Sequence, residues 1–237
     1  MQLGERKKKR GMTLVELLVV ISISLVLVSF IIAGARAAKR KSNQITCSNN
    51  MRQIGVGLQL YADDNQGMYP QTSHTAEQGK SWIYELEQYL TDFDEVRICP
   101  ADPKAAERRS RSGTSYVLNS FVFVPSVDAF GELEGVARNR PASLAAPSST
   151  ILAFCSSDTM GSFAGDDHTH SDEWSNWNAV CRDIAPNMHF RDQSDNTKGN
   201  SNYLFADGHV ENWQSIDVKK RIESGQNIAK VIGHNEN

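Results

Sequence analysis

No proline precedes Pro70 in this chain of 237 residues, so nothing in that long opening stretch forces a helix to break. Charge is nearly missing there too: from Met12 to Ala38 the only charged side chains are Glu16 and Arg36. The apolar run, roughly 22 residues, spans about 33 Å as a helix, which matches the hydrocarbon thickness of a bilayer. The reading is a membrane helix that runs on into a soluble one. No Walker loop, Gly-rich dinucleotide turn or nucleophile motif occurs, so the sequence offers no pattern for an enzyme. A basic excess is lacking as well: the net charge is −3, and −7 without the first eleven residues, which gives a nucleic-acid partner no electrostatic support. No long Pro or Gly linker divides the part beyond residue 50, which is long enough for one domain with its own core. The four cysteines, Cys47, Cys99, Cys155 and Cys181, contain no Cys-x-x-Cys pair, which argues against a zinc or redox site.

What is present is a basic block, Arg6 to Arg10, then Gly11, Met12, Thr13, Leu14, Val15 and Glu16 at the mouth of the apolar run. A carboxylate inside a membrane span costs a few kcal/mol and therefore wants a partner. This leader, glycine and glutamate resemble the prepilin signal of type IV pilins and type II secretion pseudopilins. The resemblance implies a cut between Gly11 and Met12 by a membrane prepilin peptidase on the cytoplasmic side, and N-methylation of Met12. It also implies that Glu16 pairs with the terminal amine of a neighbouring subunit during filament assembly. Phenylalanine is commoner in that family where Met12 stands here. A conventional signal peptide is cut after its apolar core instead, and a plain anchor needs no glutamate. Arg36, Lys39, Arg40 and Lys41 nearly balance the five leader cations, so the positive-inside count alone does not orient the span; the motif does.

The implied setting is a bacterial inner membrane, crossed once, with the head in the periplasm and a surface filament as a further destination. The implied partners are other copies or homologous pseudopilins and the secretion or pilus assembly machinery. A reading of another class is a non-polymerising binding module displayed by the same signal. An even cysteine count on the oxidising side favours disulfides, with three connectivities open. Nearest-neighbour pairing, Cys47 with Cys99 and Cys155 with Cys181, is the first choice, and free buried thiols are the alternative.

Beyond the span, Cys47, Met51, Ile54, Leu58 and Tyr61 recur at helical spacing, and the helix is expected to end in the cluster 63–67. The run from Cys47 through Gly55 and Leu58 to Tyr69 and Pro70 resembles pseudopilin-like proteins with a C-terminal His-x9-Asp-Gly signature. So do the Cys99-Pro-Ala-Asp turn and the Phe-Ala-Asp-Gly-His-Val run at 205–210. The upstream histidine is displaced, with 17 residues between His189 and Asp207. The implied fold is α+β: a long N-terminal helix packed on an antiparallel β-sheet head, divided into leader 1–11, helix 12–66 and head 67–237.

Within the head the sequence predicts a short helix over 80–90, a solvated loop over 104–113, a strand over 115–124 and a loop over 130–147. A central strand over 149–155 and a short helix over 217–223 follow, with a frayed end at 233–237. The polar stretch 161–178 reads as a solvated acidic loop anchored by Trp174 and Trp177; its histidines and carboxylates admit a cation reading but fit no known loop motif. Asp207-Gly208 between alternating residues predicts a hairpin with a two-residue type I′ turn. Neither a cofactor nor a metal follows from the sequence.

Overall fold

The computed structural model describes residues 12–72, 81–124, 139–160, 166–192 and 194–231. It divides into two compact units, 1–41 and 42–237. Helix α1 (Leu14–Asp64) is 51 residues long and contributes to both. In the first unit its apolar side chains are exposed, Leu14 by 79% and Phe30 by 71%, and the helix is long and apolar enough to cross a membrane. Its serines suit such a setting, because the Ser22 and Ser24 hydroxyls donate to the Leu18 and Val20 carbonyls at 2.8 Å and are satisfied within the helix. The helix stops as expected: Gly67 N donates to Ala62 O at 2.8 Å while Gln66 and Gly67 take positive φ, which closes the last turn.

In the second unit Cys47, Met51, Ile54 and Leu58 are fully buried, as their spacing predicts. They face a four-stranded sheet, β1 (Tyr116–Leu118), β2 (Ile151–Cys155), β3 (Asn200–Phe205) and β4 (Val210–Gln214), ordered β1-β2-β3-β4 and antiparallel throughout. This is the expected α+β arrangement, like that of pilins, with β2 in the sheet interior. One apolar cluster lies between α1 and the sheet and includes Leu152, Cys155 and Leu204. A second contains Phe154, Tyr203, Phe205, Trp174 and Trp177. Those two tryptophans anchor the polar stretch as expected.

Several local expectations are corrected. The segment 80–90 holds a short helix α2 (Trp82–Glu85) and a 3-10 turn (Glu87–Tyr89), with Lys80 outside the described residues; α3 (Phe93–Val96) follows. The solvated loop at 104–113 is instead helix α4 (Ala105–Ser110), because Arg108 is drawn into the core by an ion pair with Asp102. The strand at 115–124 ends at Leu118. Asn119 then caps helix α5 (Ser120–Phe123), its side chain accepting from Phe121 N at 3.1 Å, an example of local capping winning over β propensity. The loop at 130–147 is described only from 139, where it holds the 3-10 turn Pro141–Ser143; 233–237 lies outside the described residues.

The β3–β4 hairpin is present, but its turn has three residues, 206–208. Phe205 N donates to His209 O and Gly208 N to Phe205 O, both at 2.9 Å, and Gly208 has φ +87°. This is a type I turn closed by a left-handed glycine, which an Asp-Gly pair serves as well as the type I′ form. Helices α6 (Trp177–Asp183), capped by Asn176, and α7 (Ser215–Glu223), which buries Val218 and Ile222, complete the head.

Gly199, just before β3, has φ +109°, and a Cβ there would stand 2.6 Å from His189 O. That carbonyl accepts from Asn200 N at 2.9 Å, while His189 N donates to Asn200 O, so it has little room to yield. Gly199→Ala is expected to destabilise the head by about 1–3 kcal/mol. At this size each kcal/mol lowers Tm by about 2–4 °C, a shift that thermal unfolding of the detergent-solubilised chain would measure.

Candidate functional site

At the start of α1, Thr13 and Glu16 form a reciprocal cap. Thr13 N and Thr13 Oγ1 donate to Glu16 Oε2 at 2.7 and 2.9 Å, and Glu16 N donates to Thr13 Oγ1 at 3.2 Å. This is the Thr-x-x-Glu capping box, readable as such in the sequence. The side chains around it, Met12, Leu14, Val15, Leu17 and Leu18, are apolar and exposed. Glu16 is thus an anionic group on a surface that is otherwise apolar. Both of its bonds fall on Oε2, and among the described residues Oε1 has no partner. Gly11 and the Gly11–Met12 junction lie outside the described residues.

The head contains a second constellation, which the sequence reading missed. Cys47 from α1, Cys99 from the 99–102 turn, Cys155 at the end of β2 and His189 ahead of β3 bring one ligand-type atom each within 4.8 Å of one another. All four residues are at most 1% exposed. Among the described residues this is the one convergent group of three or more such ligands. Cys47 Sγ and Cys155 Sγ are 3.7 Å apart. Burial pushes the Cys47 thiol up, but hydrogen bonding with Cys155, Cys99 and His189 outweighs it and holds this thiol well below its ordinary range.

Among the described residues, Tyr116 Oη and His189 Nδ1 are buried without a hydrogen bond of normal geometry, although both side chains interact with the Cys47 thiol. Burial first, then repulsion from any negative charge on the neighbouring Cys47, Cys99 and Cys155 sulfurs, pushes the Tyr116 phenol well above its ordinary range. His189 Nε2 lies 3.4 Å from Asn202 Nδ2, and Asn202 is itself fixed by donating to Gln44 O at 3.0 Å and accepting from Asn212 Nδ2 at 2.9 Å.

All four cysteines are free thiols. Cys155 faces Cys47, while Cys181 packs against the other cluster and accepts from Asn196 Nδ2 at 3.6 Å. The structure therefore brings together three of the four cysteines rather than the two expected pairs. Nothing in their spacing signals this, since the grouping is made by tertiary packing.

Of the acidic stretch, described from 166 onward, Asp166, Asp172 and Glu173 are exposed as expected, while part of it is built into the head. Asp167 and His168 are buried, the Asp167 carbonyl accepts from Leu118 N and Trp82 Nε1, and His168 Nδ1 is 2.9 Å from Asp167 Oδ1. Asp183 Oδ2 accepts from His170 N and Trp174 Nε1 at 2.7 and 2.8 Å. These groups bond to one another and tie the stretch to the head. At the hairpin, Asp207 contacts His209 Nδ1, and the His209 ring stacks on Phe205 with centroids 4.3 Å apart. Asp207 is thus held within its own turn, while His189 sits among the thiols.

No protein of curated function and no solved structure matches this chain. Residues 6–32 match the family described as the prokaryotic N-terminal methylation motif. The match covers the signal segment and supports a type IV pilin-like prepilin signal on a membrane-compatible helix of a pilin-like exported protein.

Proposed function

We propose that this chain is an assembling subunit of a type II secretion pseudopilus or type IV pilus-like filament, crossing the bacterial inner membrane once with its head in the periplasm. The observation that carries this reading is the placement of Glu16: a carboxylate at the mouth of an apolar, exposed helix, bonded among the described residues only to its own Thr13. In lipid such a group is stabilised by any cation that docks beside it. A prepilin peptidase that cuts after Gly11 would create that cation, the terminal amine of Met12. Pairing it with Glu16 of the next protomer takes two charges out of lipid together. The assembly machinery, and other copies or homologous pseudopilins, are then the partners.

The test is mass spectrometry of the mature terminus. The expected peptide begins at Met12 and carries one methyl group on its amine. A chain with residues 1–11 still attached, or one trimmed downstream of the apolar run, would overturn the proposal.

A further inference from the structure

We propose that Cys47, Cys99, Cys155 and His189 bind one zinc-class divalent cation as a closed structural site that ties α1 to the sheet. The inference concerns the head alone and stands whether or not the chain assembles into filaments. Three soft thiol ligands and an imidazole are the donor set that selects zinc among common divalent ions. With Zn–S bonds of about 2.3 Å, a tetrahedral site sets its sulfurs about 3.8 Å apart, and the Cys47–Cys155 separation of 3.7 Å fits that edge. A disulfide brings two sulfurs to about 2.05 Å and would leave the third thiol and the imidazole with no task.

The surroundings point the same way. Four protein ligands at 1% exposure or less leave no open coordination position for substrate, the mark of a structural site. Three thiolates around a dication leave one net negative charge in the core, and the buried Tyr116 hydroxyl, which lies against Cys47, is placed to donate to it. Each ligand is also held by something rigid: α1, the turn in which Asp102 N donates to Cys99 O at 3.0 Å, the end of β2, and the paired backbones of His189 and Asn200. Loading exchanges up to three thiol protons, released to solvent, for the ion; no electron moves.

The experiment uses the full chain in detergent, reduced, stripped of metal and reloaded with Zn²⁺ or Co²⁺ alone. The expected results are one ion per chain by native mass spectrometry, a rise in Tm, and a cobalt spectrum with thiolate charge-transfer and tetrahedral d–d bands that zinc abolishes. Loss of an outer partner alone weakens such sites 10–100-fold, so Cys99→Ser or His189→Ala is expected to weaken zinc binding by at least about tenfold. Cys181→Ser, outside the group, should leave binding unchanged. The proposal is overturned by a folded wild type that retains no stoichiometric ion, by a cobalt complex without thiolate bands, or by equal sensitivity to Cys181→Ser. A disulfide between two of the three clustered cysteines in protein taken directly from membranes would overturn it as well. The mass and cobalt readings use the wild type, so they decide the matter even where a variant fails to fold.

Discussion

Glu16→Gln is expected to be cut, methylated and inserted like the wild type, yet to be absent from sheared filament fractions. The glutamine amide can still serve the capping box with Thr13, so the helix start survives; what disappears is the negative charge. If that charge meets the amine of Met12 in the adjoining subunit, its loss leaves an ammonium unpaired in lipid. Breaking a buried pair in this way costs about 3–5 kcal/mol, which is on the order of 10²–10⁴-fold in subunit affinity. Glu16→Ala should behave in the same way, with insertion slightly easier.

Thr13→Ala separates the cap from the charge. It removes the hydroxyl bonds to Glu16, should fray the helix start by about 0.5–2 kcal/mol, and should leave assembly intact. Immunodetection of each variant in membrane and sheared fractions makes the comparison. Normal filament incorporation of Glu16→Gln would defeat the charge-pairing mechanism, and loss of assembly in Thr13→Ala would reassign the role of Glu16 to capping.

The second large effect is expected at the buried pair beneath the 99–102 turn. Asp102 and Arg108 have side-chain exposures of 0% and 1% and meet at 2.7 Å. Asp102 also accepts from Lys104 N and from the Ser115 hydroxyl, and Arg108 donates to Thr114 O and Ser157 O. The two charges are therefore desolvated and largely satisfied inside the fold. Asp102→Ala keeps Arg108 buried but strips it of its carboxylate, at a cost of about 3–5 kcal/mol, or at least about 6 °C in Tm. Glu173→Ala provides the contrast: Glu173 pairs with Arg182, but the two side chains are 59% and 52% exposed, so its loss should cost no more than about 1 kcal/mol. Adding Arg108→Met to Asp102→Ala should recover much of the loss, since an apolar pair no longer strands a charge. Thermal or denaturant unfolding of the full chain reads all three. A double variant no better than Asp102→Ala would show that the pair acts through the shape of the turn and not through its charges.

How far the sequence foretold this molecule depended on the range over which each feature is decided. The buried stripe Cys47, Met51, Ile54, Leu58 was legible because helical periodicity is local, and the cap at Gln66–Gly67 because a polar cluster with glycine follows it. The hairpin was legible from alternation around Asp207-Gly208, though not its loop length, since Asp-Gly serves two turn geometries. Helix α4 was not, because the basic residues of 104–113 look solvated until Asp102 is placed beneath Arg108. The same holds for Asp167 and His168, which are polar in sequence and buried in space because Leu118, Trp82 and their own pairing satisfy them. The cluster of thiols and imidazole was invisible for the plainest reason: its members come from four separate segments, and only the packing of α1 on the sheet brings them together.

The sheet is a party wall. β2 and β3 give alternate side chains to both compartments, yet α1 touches only one of them: Met51, Ile54 and Leu58 share their space with Leu152 and Leu204, while Phe154, Tyr203 and Phe205 look the other way. On the far side Phe154 packs edge-on against Trp174 and Tyr203. Local opening of α1 is therefore expected to bare the Leu152 and Leu204 side first and leave the aromatic block protected, an order that hydrogen exchange of the head would read.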